Sequence, residues 1–494
     1  MTHYKVSDKF PYHVPTMDEI RVLPWNGYTA ISTFSGCGGS STGYRMAGFR
    51  LLWASEFIDA ARDSYNANKA PYTVLDGRDI RLVQAEDILV ATGLKVGELD
   101  LFDGSPPCAS FSTAGKREDG WGKEKSYSDK KQRTDDLFFE YARLLRGLQP
   151  KTFVAENVSG LIKGTAKGYF LNILRELKDC GYRVEAKVLD AQWLGVPQAR
   201  QRLIFQGVRN DLDLAPAFPK PLAFRYTVRD ALPNLGRRHG FIDDDTKSKK
   251  GGDLENDEIS SLETKEQVRM IVGNEAFEPV WGTLDQPSPT IMAQGARTSG
   301  MIEIDSDFPS ATRVIHDTSG LYGVGDITDR PSPAITVGVN SLCSTHFKVE
   351  VEPESDMTGY AVGTEWDKLK PGEQSEKYFN LVRSDPEKPC QTVTQRGGDK
   401  SVASVINPTE RRKFTIAELR RICGFPDDFV LTGTYAQQWE RCGRAVPPVM
   451  MSYIAAAVRD EVLNKLKPGA RAGLPADASS ADQAALATPA AATA

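Results

Sequence analysis

The chain has 494 residues, 40% of them hydrophobic and 26% charged, and a formal net charge of −5. That is room for roughly two or three domains with a sizeable core, and no apolar run reaches the about 18 residues that a spanning helix needs. Seven Cys stand singly, without a Cys-x-x-Cys pair, so neither a zinc site nor a disulfide framework is expected, and a cytoplasmic setting fits. The charge itself is local: Asp243 to Glu266 holds nine acids and four lysines, and the rest of the chain balances, which leaves room for a basic groove.

Residues 1–26 read as a short, weakly structured leader. From Tyr28 onward strands and helices alternate. Thr29–Phe34, Leu51–Ser55, Leu99–Asp103, Thr152–Ala155 and Arg202–Gln206 are apolar runs of strand length. Leu137, Phe138, Tyr141, Leu144, Leu145 and Leu148 share one helix face, and Leu171, Leu174 and Leu177 another. This order predicts an α/β domain with a mostly parallel sheet covered by helices on both faces. Beyond residue 208 Pro, Gly, Asp and Ser become dense. Helical signal returns at Thr415–Cys423 and Val449–Leu466. The tail from 468 to 494 holds 12 Ala with no apolar face and reads as disordered. Three Pro turns recur, Asp285–Ile291, Asp329–Ile335 and Glu387–Val393, each leading into a β-branched pair; their spacings of 44 and 58 residues are too uneven for a solenoid.

Five motifs carry chemistry. Phe34-Ser-Gly-Cys-Gly-Gly39 follows a strand, and glycines there let a ligand approach the backbone; a plain tight turn is equally consistent. Glu56 follows the second strand, where an acid can receive ribose hydroxyls. Asp103-Gly-Ser-Pro-Pro-Cys108 presents one thiol on a rigid loop, as a nucleophile requires, and a buried Cys in a Pro turn is the plain alternative. Lys116 to Arg133 adds seven basic and four acidic residues without an apolar period, as in a lid over an anionic polymer. Ala155-Glu-Asn-Val158 puts a carboxylate at the end of a buried strand, costly unless it is paired or protonated. Arg200 and Arg202 alternate in Gly195-Val-Pro-Gln-Ala-Arg-Gln-Arg202 and are expected on one side of an extended segment. Cys442-Gly-Arg-Ala-Val-Pro-Pro448 opens the last helix.

In this order and spacing, the motifs resemble the DNA cytosine-5 methyltransferases, from Tyr28 to Leu466. The resemblance implies a Rossmann-like, S-adenosylmethionine-dependent catalytic domain over 27–208 and a smaller, irregular β-rich target recognition domain over 209–425. The segment 426–467 would return to the catalytic domain. Cys108 matches the nucleophile, Glu156 the glutamate that engages cytosine, and Arg200 and Arg202 the arginines of the eighth motif. Phe34, Ser35, Gly36, Cys37, Gly38, Gly39, Glu56, Phe57, Asp79, Ile80, Pro106, Leu137, Ala445 and Val446 would bind S-adenosylmethionine. Arg411 to Pro426 resembles the ninth, supporting motif. Two positions depart from the family pattern: Arg444 stands where Asn is usual, and Arg78 where Gly is usual. The implied partner is double-stranded DNA, with no metal, acting as a monomer beside a cognate restriction endonuclease or in phage self-protection. A tRNA methyltransferase and a non-catalytic DNA-binding regulator on the same fold are the competing readings.

Overall fold

The computed structural model describes residues 9–107, 136–163, 166–233, 235 and 353–466, with the backbone of short strands between 125 and 132 and between 267 and 350. The leader is more ordered than its composition predicts. It holds helix α1 (Met17–Val22), closed by a capping box between Thr16 and Glu19. Met17 and Ile20 are buried in a cluster with Phe414, Leu419 and Phe425, and the Met17 N–H donates to Asp428 at 2.7 Å.

One sheet of seven strands follows: β1 (Thr29–Thr33), β2 (Arg50–Ser55), β3 (Val74–Asp76), β4 (Leu101–Gly104), β5 (Thr152–Val158), β6 (Tyr182–Asp190) and β7 (Gln201–Arg209). Their spatial order is β3-β2-β1-β4-β5-β7-β6. All pairs from β3 to β5 are parallel, and β7 runs antiparallel to both of its neighbours. The inner strands are apolar on both faces, as a sheet buried on both sides requires. Ile31, Phe102, Phe153 and Phe205 point into one cluster with Tyr141, Leu144 and Leu145. Their neighbours Ala30, Leu101, Val154 and Ile204 point into the opposite one, with Tyr44, Met450, Met451 and Ile454.

The helices between strands are α2 (Gly39–Met46), α3 (Asp59–Asn68), α4 (Ala85–Thr92), α5 (Leu137–Leu148) and α6 (Ala166–Asp179). After β1 the chain winds outward to β2 and β3, then returns to place β4 on the other side of β1. That reversal opens a crevice at the carboxyl ends of β1 and β4, where open α/β sheets bind ligands.

Beyond the sheet lie α7 (Val228–Ala231), α8 (Ala361–Trp366), α9 (Ile416–Ile422), α10 (Tyr435–Arg444) and α11 (Pro448–Glu461). Between α7 and α8 the described strands are antiparallel. Gln267–Val272 pairs with Trp281–Thr283 and Ser299–Glu303, and Arg313–His316 with Gly325–Asp326 and Phe347–Glu350. This is the β-rich second region. Ile335 of the second Pro turn begins a strand, Ile335–Thr336, whereas the first Pro turn lies outside the described residues. The last helix returns to the sheet and lies along α2. A Cβ on Gly43 would stand 2.4 Å from the Pro448 carbonyl oxygen and 2.6 Å from the Met451 Cβ, so only glycine permits this approach.

Candidate active site

The loop after β1 is built by backbone geometry. Phe34 has φ 53°, in the left-handed region, which costs a non-glycine residue of order 1–3 kcal/mol and is found where function holds strain. Gly36 and Gly38 follow with φ 57° and 101°. The Ser35 N–H donates to the Ser55 carbonyl at 3.0 Å, which ties the loop to the end of β2. Cys37 is buried, and burial pushes its thiol up to about 12, so it is no nucleophile.

Glu56 stands at the end of β2, 8% exposed. One carboxylate oxygen accepts from the Gly36 N–H at 2.8 Å and the other from the Ile58 N–H at 2.7 Å. Burial raises its pKa above the usual carboxylate range, while the two backbone donors and the charges of Arg441 and Arg444 act against the rise. Each oxygen keeps acceptor capacity for a hydroxyl of a diol. Phe57 packs beside Ile58 and Ala61.

Asp79 and Ile80 follow β3. Asp79 pairs with Arg81 at 3.0 Å, and Arg81 with Asp136 at 2.8 Å, immediately before Leu137. Ile80 and Leu137 are both buried in the cluster that Phe34 abuts. From the far end of the chain, Ala445 and Val446 arrive at the glycine loop. A Cβ on Gly39 would lie 2.4 Å from the Val446 carbonyl oxygen and 3.3 Å from the Ala445 Cβ. The two unusual arginines have partners nearby. Arg78 bonds Asp76 at 2.7 Å and Asp87 at 3.1 Å, and Arg444 pairs with Glu440 at 2.7 Å.

At the end of β5, Glu156 is 8% exposed and forms an ion pair with Arg202 Nε at 2.7 Å. Arg202 opposes Val158 in the β5–β7 register, so the pair is a diagonal one across the two strands. The neighbouring Asn157 is buried, and its Nδ2 donates to the Pro106 carbonyl at 3.2 Å. Sequence reading quoted Asn157 without giving it a task. Cys108 itself lies outside the described residues, as does the basic stretch after it, apart from the backbone of a hairpin formed by Lys125–Tyr127 and Lys130–Gln132.

Arg200 does not share the surroundings of Arg202. It is 1% exposed, and its guanidinium donates to the carbonyls of Val393 at 3.1 Å, Gly443 at 2.8 Å and Ala445 at 2.9 Å. The expectation that the two arginines point one way assumed strand geometry for both. β7 begins only at Gln201, and the segment before it pairs instead with the third Pro turn: Ala199 N donates to the Cys390 carbonyl at 2.7 Å and Cys390 N to the Pro197 carbonyl at 2.8 Å. Burial lowers the Arg200 pKa to about 9, with the Arg202 charge adding to the effect.

Residues 28–460 match the family model for C-5 cytosine-specific DNA methylases. The chain belongs to that family. As a family member it is a DNA (cytosine-5) methyltransferase, with S-adenosylmethionine as methyl donor. It is 34% identical over 444 residues to the type II methyltransferase M.PspPI of Psychrobacter sp., covering 89% of this chain and 81% of that protein. It is 26% identical over 431 residues to the type II methyltransferase M1.HphI of Haemophilus parahaemolyticus, covering 87% and 86%. A solved structure of a prophage-encoded chain from E. coli shares the fold, with TM-score 0.53 and 22% identity over 89% of this chain and 100% of that one. Among the described residues no helix of this methyltransferase is long and apolar enough to cross a membrane.

Proposed function

We propose that this methyltransferase modifies a cytosine flipped out of duplex DNA, through a covalent bond between Cys108 and the C6 atom of the base. The observation that carries this reading is the bond from Asn157 to Pro106. It ties the loop leading to Cys108 to the strand end that holds the Glu156–Arg202 pair. Cytosine C5 is a poor nucleophile until a thiolate adds to C6 and turns the ring into an enamine. Glu156 would meet N3, where negative charge develops, and Arg202 would hold the O2 edge. Their ion pair fixes both groups before the base arrives, so little reorganisation remains for the reaction. A stacked base offers neither face of its ring to a thiol, hence the flip. Once C5 carries the methyl group, loss of its proton restores the C5–C6 double bond and breaks the C6–S bond, which releases the Cys108 thiolate.

S-adenosylmethionine supplies an electrophilic methyl group from its sulfonium. The loop Phe34–Gly39, Glu56, Phe57, Asp79, Ile80, Pro106, Leu137, Ala445 and Val446 would hold it. Glu56 suits the ribose hydroxyls because its two oxygens are already fixed by backbone N–H groups. Arg200 belongs to the frame of this site, through its carbonyl partners.

The type II relatives support a role as the modifying partner of a restriction endonuclease. In that role the methyltransferase acts as a soluble cytoplasmic monomer on double-stranded DNA. The β-rich region would read the sequence, and the segment Thr392–Gly398 would supply base contacts. Its entry runs beside Pro197–Ala199, and Thr392 Oγ1 donates to the Ala199 carbonyl at 2.6 Å.

The test is trapping. Duplex DNA carrying 5-fluorocytosine is incubated with the protein and S-adenosylmethionine, beside a Cys108→Ser control. A denaturation-resistant adduct that requires Cys108 is expected. Methyl transfer without such an adduct would overturn the covalent route.

A further inference from the structure

We propose that Asp103 is a positioning residue that holds the cofactor loop and the nucleophile loop in one arrangement, an inference that rests on the reading of Cys108 above. Asp103 lies in β4, five residues before Cys108, and is 1% exposed. Ser32 Oγ donates to its Oδ2 at 2.7 Å, and Tyr44 OH donates to its Oδ1 at 3.0 Å. Ser35 Oγ in turn stands 3.0 Å from both the Ser32 carbonyl oxygen and Ser32 Oγ, so its one hydrogen falls on Ser32 either way. The Ser32 and Tyr44 hydrogens both end on Asp103.

Each donor comes from the cofactor side. Ser35 is in the strained loop, Tyr44 in the helix that begins at Gly39, and Ser32 in β1 directly opposite Asp103. The acceptor is on the strand that feeds the Pro-Pro-Cys loop. Ser105 N also donates to the Thr33 carbonyl at 3.3 Å, and a Cβ on Gly104 would stand 2.5 Å from the Tyr141 ring, so the strand end has little freedom to shift.

Burial pushes the Asp103 carboxyl up to about 7, against the pull of the Ser32 and Tyr44 hydroxyls, with the Glu156 charge adding to the rise. The titratable groups facing it are Tyr44 of α2, Tyr65 of α3, Tyr141 of α5 and Glu156 of β5, and none of these four is a cation. An ionised carboxylate accepts from both hydroxyls with no hydrogen of its own. A protonated one brings a third hydrogen into a site that already has two donors. The fold pays for this group: an acid raised from 3.8 to about 7 contributes stability below its unfolded value that is lost as pH rises through about 7. Two hydroxyls that end on one buried carboxyl tie β1 and α2 to β4, and that tie serves the arrangement of the two loops.

The experiment compares the full-length protein with Asp103→Asn and Tyr44→Phe in steady-state DNA methylation between about pH 6 and 9, beside thermal unfolding. D103N is expected to unfold at an equal or higher temperature at pH 8. Its kcat should fall about tenfold and its KM for S-adenosylmethionine rise, with a kcat profile that stays flat through the region where the wild-type value climbs. Y44F, which loses one donor and no charge, should show a smaller fall and keep the climb. A D103N enzyme with wild-type kcat and pH profile overturns the proposal. So does a loss of kcat in both variants that only follows a lower unfolding temperature. Failure of the Cys108 reading is separate, because it shows in the trapping of the wild-type protein, which neither variant enters.

Discussion

Inside the sheet, a strand carbonyl finds its partner on the next strand; between 353 and 415 only two strands of two residues each are present among the described residues, and there cations meet the carbonyls. Arg383, stacked 3.6 Å above Trp366, donates to the Leu369 carbonyl at 2.7 Å and the Pro408 carbonyl at 2.7 Å. Lys413, fully buried, donates to the carbonyls of Gly397, Asp399 and Val402. Arg412 grips Glu418 with two bonds of 2.7 and 2.8 Å, and Glu418 also caps α9 through the Thr415 N–H at 2.8 Å. A buried carbonyl without a ladder must find a donor, and long cationic side chains provide several at once. The sheet region is thus held by apolar area and its ladder, whereas the later region joins its apolar clusters with a few polar clips where a ladder is missing.

The sharpest way to break the second region is to remove one clip. Arg412→Leu leaves Glu418 buried without its cation and is expected to cost about 3–5 kcal/mol. Urea unfolding checks this, and a cost below about 1 kcal/mol would mean that the clip is ornamental. Next is Arg200, the clip that joins the two regions. Arg200→Met orphans three carbonyls and should cost about 2–3 kcal/mol, with weaker S-adenosylmethionine binding because Gly443 and Ala445 lose their anchor. Arg200→Lys should recover part of both losses. Unchanged cofactor affinity in the Met variant would separate Arg200 from the pocket.

The smallest effect, taken per pH unit, is a pH slope. Burial depresses the Lys413 pKa from 10.5 to about 7, so this group contributes stability at high pH that is lost as pH falls through about 7. Stability should therefore rise between about pH 7 and 10, by at most about 1.4 kcal/mol per pH unit, and Lys413→Met should lack that part of the slope. Parallel slopes for the two proteins would show that the buried amine does not titrate in this window.

The same contrast explains what could be read from the sequence. Apolar runs with helical or strand period located β1, β2, β4, β5, β7, α5 and α6, because their burial comes from many similar side chains. The strand β6 was not expected: Tyr182–Asp190 lies at the sheet edge, only Tyr182 and Val184 of it are buried, and Arg, Glu, Lys and Asp interrupt the pattern. The resemblance to a family ordered the residues proposed for the cofactor, and the structure brings Ala445 and Val446 to Gly39. It gave the cytosine O2 to Arg202 alone, but alternation put Arg200 on the same side, since two identical side chains two residues apart differ only in where β7 begins. Asp103 opened the Pro-Pro-Cys motif and carried no role of its own there. Its partners were not, because Ser32 and Tyr44 become neighbours only when β1, β4 and α2 assemble.

The approach of α11 to α2 also bears on how such a chain comes into being. Tyr28 OH meets Asn464 Oδ1 at 2.8 Å across 436 residues of sequence, and Val446 supplies the wall against Gly39. On the ribosome, the glycine loop emerges early and stands open on that flank until the last helix has been made. Contacts of such separation close late and slowly. Synthesis of residues 209 to 425 therefore precedes closure of this flank, so a chain interrupted midway leaves the glycine loop open.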